Sequence, residues 1–244
     1  MPRKLPAPIW PRRILRHLPP VSDEAIVEAA LGLLDREGVD AVTMRGVAEC
    51  MGVTTPTIYW HVENKDGLLE RLYDRLCSEV ARPSSGPWQD RLRLLANGIR
   101  AVFVGHRDAA KLAVGRFPLG PHGLQITEWV LEALAEAGLD PEEMAHGAYL
   151  FFSYVTSFSH QETILPTPVS TNDRRDALKK IEQYLLTLSE KQFPHVTRSA
   201  KALSQPGLDR RFAFGLDQFL LGLTESSKRQ RRERKSAKKK SKRS

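Results

Sequence analysis

The chain has 244 residues, 41% hydrophobic and 27% charged, which is enough apolar material for a packed core and excludes global disorder. Its formal charge of +8 is unevenly placed: residues 1–17 hold five Lys or Arg and no acid, and residues 228–244 hold eleven against one Glu. Residues 18–227 are left with 21 basic and 28 acidic side chains, so a uniformly basic, histone-like body is also excluded.

Six prolines in the first twenty positions mark residues 1–20 as a Pro/Arg-rich disordered extension. Ser22 then offers an N-cap, with Asp23 and Glu24 in the first turn, where acids suit the helix dipole. Ile26, Ala29, Ala30, Leu33 and Leu34 recur at helical spacing, and Gly38 ends this first helix. A short second helix starts after Thr43 with Val47, Ala48 and Met51, and Gly52 interrupts it. A third starts after Thr54 or Thr55 with Pro56 in its first turn, and a fourth starts near Asn64.

Arg82–Pro87 (RPSSGP) reads as a domain boundary. Beyond it, helical runs are predicted at 88–105, 108–114, 122–137, 141–163, 174–191 and 208–224, with loop-like segments at 164–173 and 192–207. Strand alternation is absent, so the expected fold class is all-α. The domains expected are a helix-turn-helix unit over 21–82, a helical body over 83–227 and a basic disordered tail over 228–244.

Two cysteines, Cys50 and Cys77, are too few for a disulfide scaffold and lack metal-ligand spacing. Reduced thiols in a cytoplasm are expected, with no metal and no cofactor. The longest apolar stretch, Ala148–Phe158, is about half a bilayer span, and the N-terminus lacks the apolar core of a signal peptide. No membrane partner is expected.

Thr43–Met51, the turn Gly52–Val53–Thr54 and Thr55–His61 fit a helix-turn-helix. Spacing alone also fits an ordinary tight helical hairpin. The residue types favour DNA: Thr55 and Thr57 offer hydroxyls and methyls, Tyr59 and His61 offer polar tips, and Lys65 opens the next helix. Trp60 is expected to pack against the first helix, and Ile58 and Val62 are expected in the core. Residues 21–75 carry five basic and eleven acidic side chains, so DNA affinity must come from a few placed contacts, helped by the basic termini.

The run VTMRGVAECMGV (42–53) followed by TPTIYWHVENKDGLLERL (55–72) resembles the DNA-binding domain of the TetR family. A weaker resemblance to the family's ligand-binding half is carried by Trp88–Asp90, His106–Asp108 and FAFGLDQFLLGL (212–223). The resemblance implies that Arg45 reaches a guanine or a phosphate, and that Thr55, Pro56 and Thr57 face the major groove. It further implies that Tyr59, His61 and Lys65 hold phosphates, and that Thr43 caps its helix and touches the backbone. A homodimer on a palindromic operator follows, with pairing through 141–163 (Ala145, Ala148, Tyr149, Phe152, Val155, Thr156, Ser159) and the last helix (Phe212, Leu216, Phe219, Leu220, Leu223).

The family also implies an effector pocket in the body. Ala113 stands where drug-responsive members have a magnesium-chelating histidine, and Ala81 and Leu95 stand where they have polar drug contacts. No magnesium–tetracycline response is therefore expected, and a largely apolar effector is. Candidate lining residues are Ile99, Phe103, Phe117, Trp129, Phe151, Tyr154 and Phe158, with His122, Gln125 and His160 as polar groups. The expected function is a DNA-binding regulator, most simply a repressor released by a small molecule. An effector-independent regulator or architectural protein is the alternative. An enzyme is a remote one, since no catalytic motif is present.

Overall fold

The computed structural model describes residues 21–164, 171–204 and 207–241; the N-terminal extension and part of the 164–173 segment lie outside the described residues. Eleven α-helices and one 3-10 turn carry the described chain, with no strand among the described residues. The small N-terminal unit comprises α1 (Asp23–Glu37), the 3-10 turn Val39–Ala41, α2 (Met44–Met51), α3 (Thr55–Tyr59) and α4 (Lys65–Cys77). The body comprises α5 (Trp88–Gly105), α6 (Ala109–Ala113), α7 (Pro121–Ala137), α8 (Pro141–Ile164), α9 (Thr171–Leu186), α10 (Pro194–Ser204) and α11 (Leu208–Ser241).

The N-terminal helices start where side-chain caps dictate. Ser22 Oγ accepts from the Ala25 amide at 3.2 Å, Thr43 Oγ1 from Gly46 at 2.9 Å, and Asn64 Oδ1 from Gly67 at 2.9 Å. Each cap contributes about 1 kcal/mol to its helix. Gly52 ends α2 at φ 68°, a left-handed conformation that glycine adopts without a Cβ penalty. The chain therefore reverses within three residues and launches α3.

One continuous core runs through both units. Ile26, Leu34, Val47, Ile58, Leu68 and Leu72 are fully buried in the first, and Leu92, Val130, Leu134, Phe151 and Phe212 in the second. Helix α4 belongs to both: it packs on α1 of the small unit and on α5, α6 and α7 of the body.

Two sequence expectations change here. Residues 194–204, expected as loop, form α10, a short, mostly polar helix that opens on Pro194 and buries only Ala200 and Ser204. The expected domain end at 227 falls inside α11, whose backbone continues as helix to Ser241. Ser227 Oγ donates to the Ala137 carbonyl, and buried Gln230 accepts from the Asp140 amide at 3.1 Å and donates to Asp140 Oδ2 at 2.7 Å. Body packing thus extends to Gln230.

The proposed pairing face also needs correction. Phe212, Leu216 and Leu220 of α11, and Ala148, Val155 and Ser159 of α8, are buried within one chain, because they fill the seam between α8, α11 and the neighbouring body helices. The exposed apolar residues of these helices include Ala145, Tyr149, Leu150 and Ile164 on α8 and Ala213, Phe214 and Leu221 on α11. Phe214 and Leu221 are seven residues apart and so share a stripe, on the face opposite the core.

Candidate nucleic-acid interface and interior cavity

Helix α3 is only five residues long, so its inward and outward faces are set by single positions. Ile58 and Val62 point into the core and are fully buried. Pro56, Tyr59 and Lys65 are exposed, while Thr55 and Thr57 are half-buried. Thr57 shares a 2.9 Å hydroxyl hydrogen bond with Thr54, which orders the start of the helix. Trp60 is 88% exposed, contrary to the expected core packing. It stands two residues from both Ile58 and Val62, and at about 100° per residue that offset turns it outward.

On α2, Thr43 caps the helix as expected, and the Arg45 guanidinium lies exposed, 2.7 Å from Glu49 one turn later. Such an exposed pair contributes little to stability, and a phosphate can displace it. His61 also makes a contact within the chain. Its Nδ1 lies 2.8 Å from Asp23 Oδ1, while Asp23 Oδ2 accepts from Arg71 at 2.6 Å. The hydrogen bond from His61, reinforced by Arg71, holds the Asp23 carboxyl below the usual carboxylate range. Asp23 thereby ties α3 and α4 to the start of α1, and fixes the exit angle of the exposed α3 surface.

Inside the body, a narrow apolar cavity of about 10 Å³ lies between α4, α5, α7 and α8. It has room for about one water-sized sphere. Two of the candidate pocket residues, Ile99 and Phe103, line it together with Tyr73, Cys77, Val80, Phe152 and Thr156. The α4 contribution escaped the sequence reading, because Tyr73 and Cys77 look like ordinary stripe residues of a helix in the other unit. Burial pushes the Cys77 thiol up to about 12, with Asp74 adding to the shift, so it stays a neutral apolar group.

The other pocket candidates are placed elsewhere. Phe117 is 66% exposed, and it lines an outer cleft together with His122, whose Nδ1 and backbone N–H both engage Asp74 at 2.9 Å. Gln125 is exposed and Trp129 half-buried. Phe151 stacks edge-on to Phe152. Tyr154 and Phe158 form an aromatic cluster with Phe212 beneath the Arg100 guanidinium. His160 lies one helical turn beyond Thr156, and its Nδ1 is buried without a hydrogen-bond partner. Among the described residues no group of His, Cys, Asp or Glu could hold a metal ion, and no helix is long and apolar enough to cross a membrane.

Residues 26–72 match the family model for bacterial regulatory proteins of the tetR family, and residues 81–227 match that for the tetracyclin repressor-like C-terminal domain. An HTH-type transcriptional regulator of Saccharopolyspora erythraea is 34% identical over 163 residues, covering 65% of this chain and 69% of that protein. The class D tetracycline repressor of Escherichia coli is 37% identical over 99 residues, 39% of this chain and 45% of the repressor. Among solved structures, the TetR family protein ActR of Streptomyces coelicolor in complex with actinorhodin superimposes with a TM-score of 0.77 at 31% identity, covering 84% of this chain and 96% of ActR. ActR in complex with (S)-DNPA gives 0.76 at 32% identity over 85% and 98%. With both halves matched in register, and with the turn, the α3 surface and the helical body in place, the chain belongs to the TetR family of transcriptional regulators.

Proposed function

We propose that this regulator is a cytoplasmic homodimeric repressor that reads a palindromic operator and releases it on binding a largely apolar small molecule. The observation that carries the DNA assignment is the outward set on and beside α3. Pro56, Tyr59 and Lys65 are exposed around a helix whose inward residue, Ile58, is fully buried together with Val62 just beyond it. On this reading Thr55, Pro56 and Thr57 enter the major groove, Arg45 reads a base edge or phosphate, and Thr43, Tyr59, His61 and Lys65 hold the backbone. Catalysis has no part in it.

The effector reading rests on the cavity being too small for a ligand while α4 forms one wall. A molecule that enlarges it displaces α4, and with it Lys65 and the α3 surface that α4 supports. The effector then favours the arrangement with the wrong half-site spacing, and the population shifts away from DNA. The ActR complexes with actinorhodin and (S)-DNPA favour an organic ligand. His160 lies outside the present cavity wall, but its Nδ1, buried and unpaired one turn beyond Thr156, is the polar group that an enlarged cavity would reach. The basic run from 228 adds sequence-independent attraction that the acidic body lacks.

Selection from a random duplex pool tests the DNA half. A twofold-symmetric consensus is expected, and enrichment without symmetry refutes the palindrome. Lys65→Ala should weaken all duplexes alike, whereas Arg45→Ala should relax preference at one base by about 1–3 kcal/mol. A thermal-shift screen of apolar aromatics, followed by DNA release, tests the effector half. No shift across broad chemistry would establish the effector-independent regulator instead.

A further inference from the structure

The outer cleft has a volume of about 670 Å³ and lies between α1, α4 and the loop 117–122, with Tyr73, Cys77 and Pro118 forming the wall it shares with the interior cavity. Phe117 and Leu119 line it and are 66% and 69% exposed, an apolar surface with nothing over it among the described residues. Six carboxylates line it against two guanidinium groups. Asp23 is held by His61 and Arg71, Glu28 by Arg75, and Asp74 by His122. Glu24, Glu63 and Glu70 have no ionic partner among the described residues. The cleft thus asks for an occupant that is both cationic and apolar.

The chain supplies one next door. Asp23 and Glu24, the first residues of α1, are themselves cleft residues. Residues 3–16, outside the described residues, carry Arg3, Lys4, Arg12, Arg13 and Arg16 with no acid, interleaved with Leu5, Ile9, Trp10, Ile14 and Leu15. Arg16 precedes Val21 by five residues, a reach of at most about 17 Å. A tether that short keeps these cations at a high effective concentration beside the unpaired carboxylates. We propose that residues 3–16 occupy this cleft in the DNA-free protein. There they act as a tethered cationic ligand: they cover Phe117 and Leu119, neutralise Glu24, Glu63 and Glu70, and brace α1 and α4 against the loop.

Disulfide trapping in the full chain tests this, in a Cys50→Ser background that removes the exposed thiol. Trp10→Cys with Leu119→Cys should cross-link within one chain at least about tenfold faster than Trp10→Cys with Tyr184→Cys, an exposed position on α9. Adding Glu24→Gln, Glu63→Gln and Glu70→Gln should lower the rate about fivefold, and high salt should do the same. These acids are exposed, so the variants should fold. Equal rates for the two pairs, or a rate indifferent to the acids, would overturn the proposal. A covalent dimer as main product would assign the occupant to a second copy and overturn it too. Stabilisation by tetrabutylammonium with no trapping would give the cleft to a small cation instead.

Discussion

Asp108 Oδ2 accepts the backbone N–H of Val39 at 3.0 Å, joining the start of α6 to the 3-10 turn that follows α1 across 69 residues of sequence. Asp108 holds φ 58°, a left-handed conformation rare for a residue with a Cβ. Around it the Arg107 guanidinium donates to the Arg36 carbonyl at 2.7 Å, and Lys111 pairs with Asp40 at 2.9 Å. The His106–Asp108 run, which sequence resemblance marked only as a weak match, is therefore the seam between body and DNA-binding unit. Asp108→Ala removes the acceptor and the side chain that tolerates this backbone, and should cost about 1–3 kcal/mol in denaturant unfolding. Asp108→Asn keeps an acceptor oxygen and the αL preference, and should cost clearly less. Equal losses would show that charge, not geometry, makes the seam.

His106 gives the same seam a pH dependence. Its Nδ1 lies 3.0 Å from Asp35 Oδ1 and its Nε2 3.0 Å from Glu79, which also pairs with Arg75. Desolvation pulls its pKa down, but hydrogen bonds to Glu79 and Asp35 outweigh it, so the net shift is upward. A histidine raised on folding contributes stability that is complete below its unfolded value of about 6.5 and is lost as pH climbs through the folded value. Relative to His106→Gln, the parent protein should therefore lose stability from pH 6.5 upward. Parallel stability curves for the two would show that folding leaves the imidazole's proton affinity unchanged.

Trp60 is the prediction on which sequence and structure part. Buried Trp→Ala costs about 3–5 kcal/mol, whereas a surface substitution stays within about 0.5 kcal/mol. At 88% exposure Trp60→Ala should fall in the second class. Standing beside Tyr59 at the end of α3, Trp60 should also change its fluorescence on operator binding. A large stability loss would return it to the core.

Trp60 shows where legibility ends. Helix starts were readable because Ser22, Thr43 and Asn64 are chemically local caps, and the turn because Gly52 carries its own conformation. Over the fifteen residues of α1 the apolar stripe fixes its buried face, but over the five of α3 one residue of phase error swings a side chain by about 100°, enough to take it off the core. Faces of α8 and α11 were legible as apolar but not as inward or outward, since core and partner surfaces share one composition. The Asp74 cap on α7 and the His106 bridges depend on distant segments meeting, which no spacing in the chain encodes.

The α8 and α11 faces make that ambiguity testable. Phe212, 1% exposed, is core, and Phe212→Ala should cost about 3–5 kcal/mol. Phe214, 67% exposed two residues on, should tolerate Phe214→Asp with little loss in the folded monomer. If Phe214 and Leu221 form the pairing face, Phe214→Asp should instead convert the dimer to a 27.5 kDa species in sedimentation, with the helical spectrum unchanged. An unaltered dimer would move the interface off this stripe.

The basic C-terminus calls for a truncation guided by Gln230. Removing everything from 228 would also remove Gln230, which is buried against Asp140, and would confuse lost packing with lost charge. Cutting after Gln230 spares that contact and still deletes nine Lys or Arg and one Glu. Each phosphate neutralised contributes about −0.9 to the slope of log affinity against log salt. If even three of the nine cations reach the duplex, the slope should flatten by about 2.7. Operator preference should survive if the groups on α2 and α3 proposed to read the bases do so. A slope unchanged by the cut would mean the run never touches DNA, and would leave the acidic body's few placed contacts as the whole of its attraction.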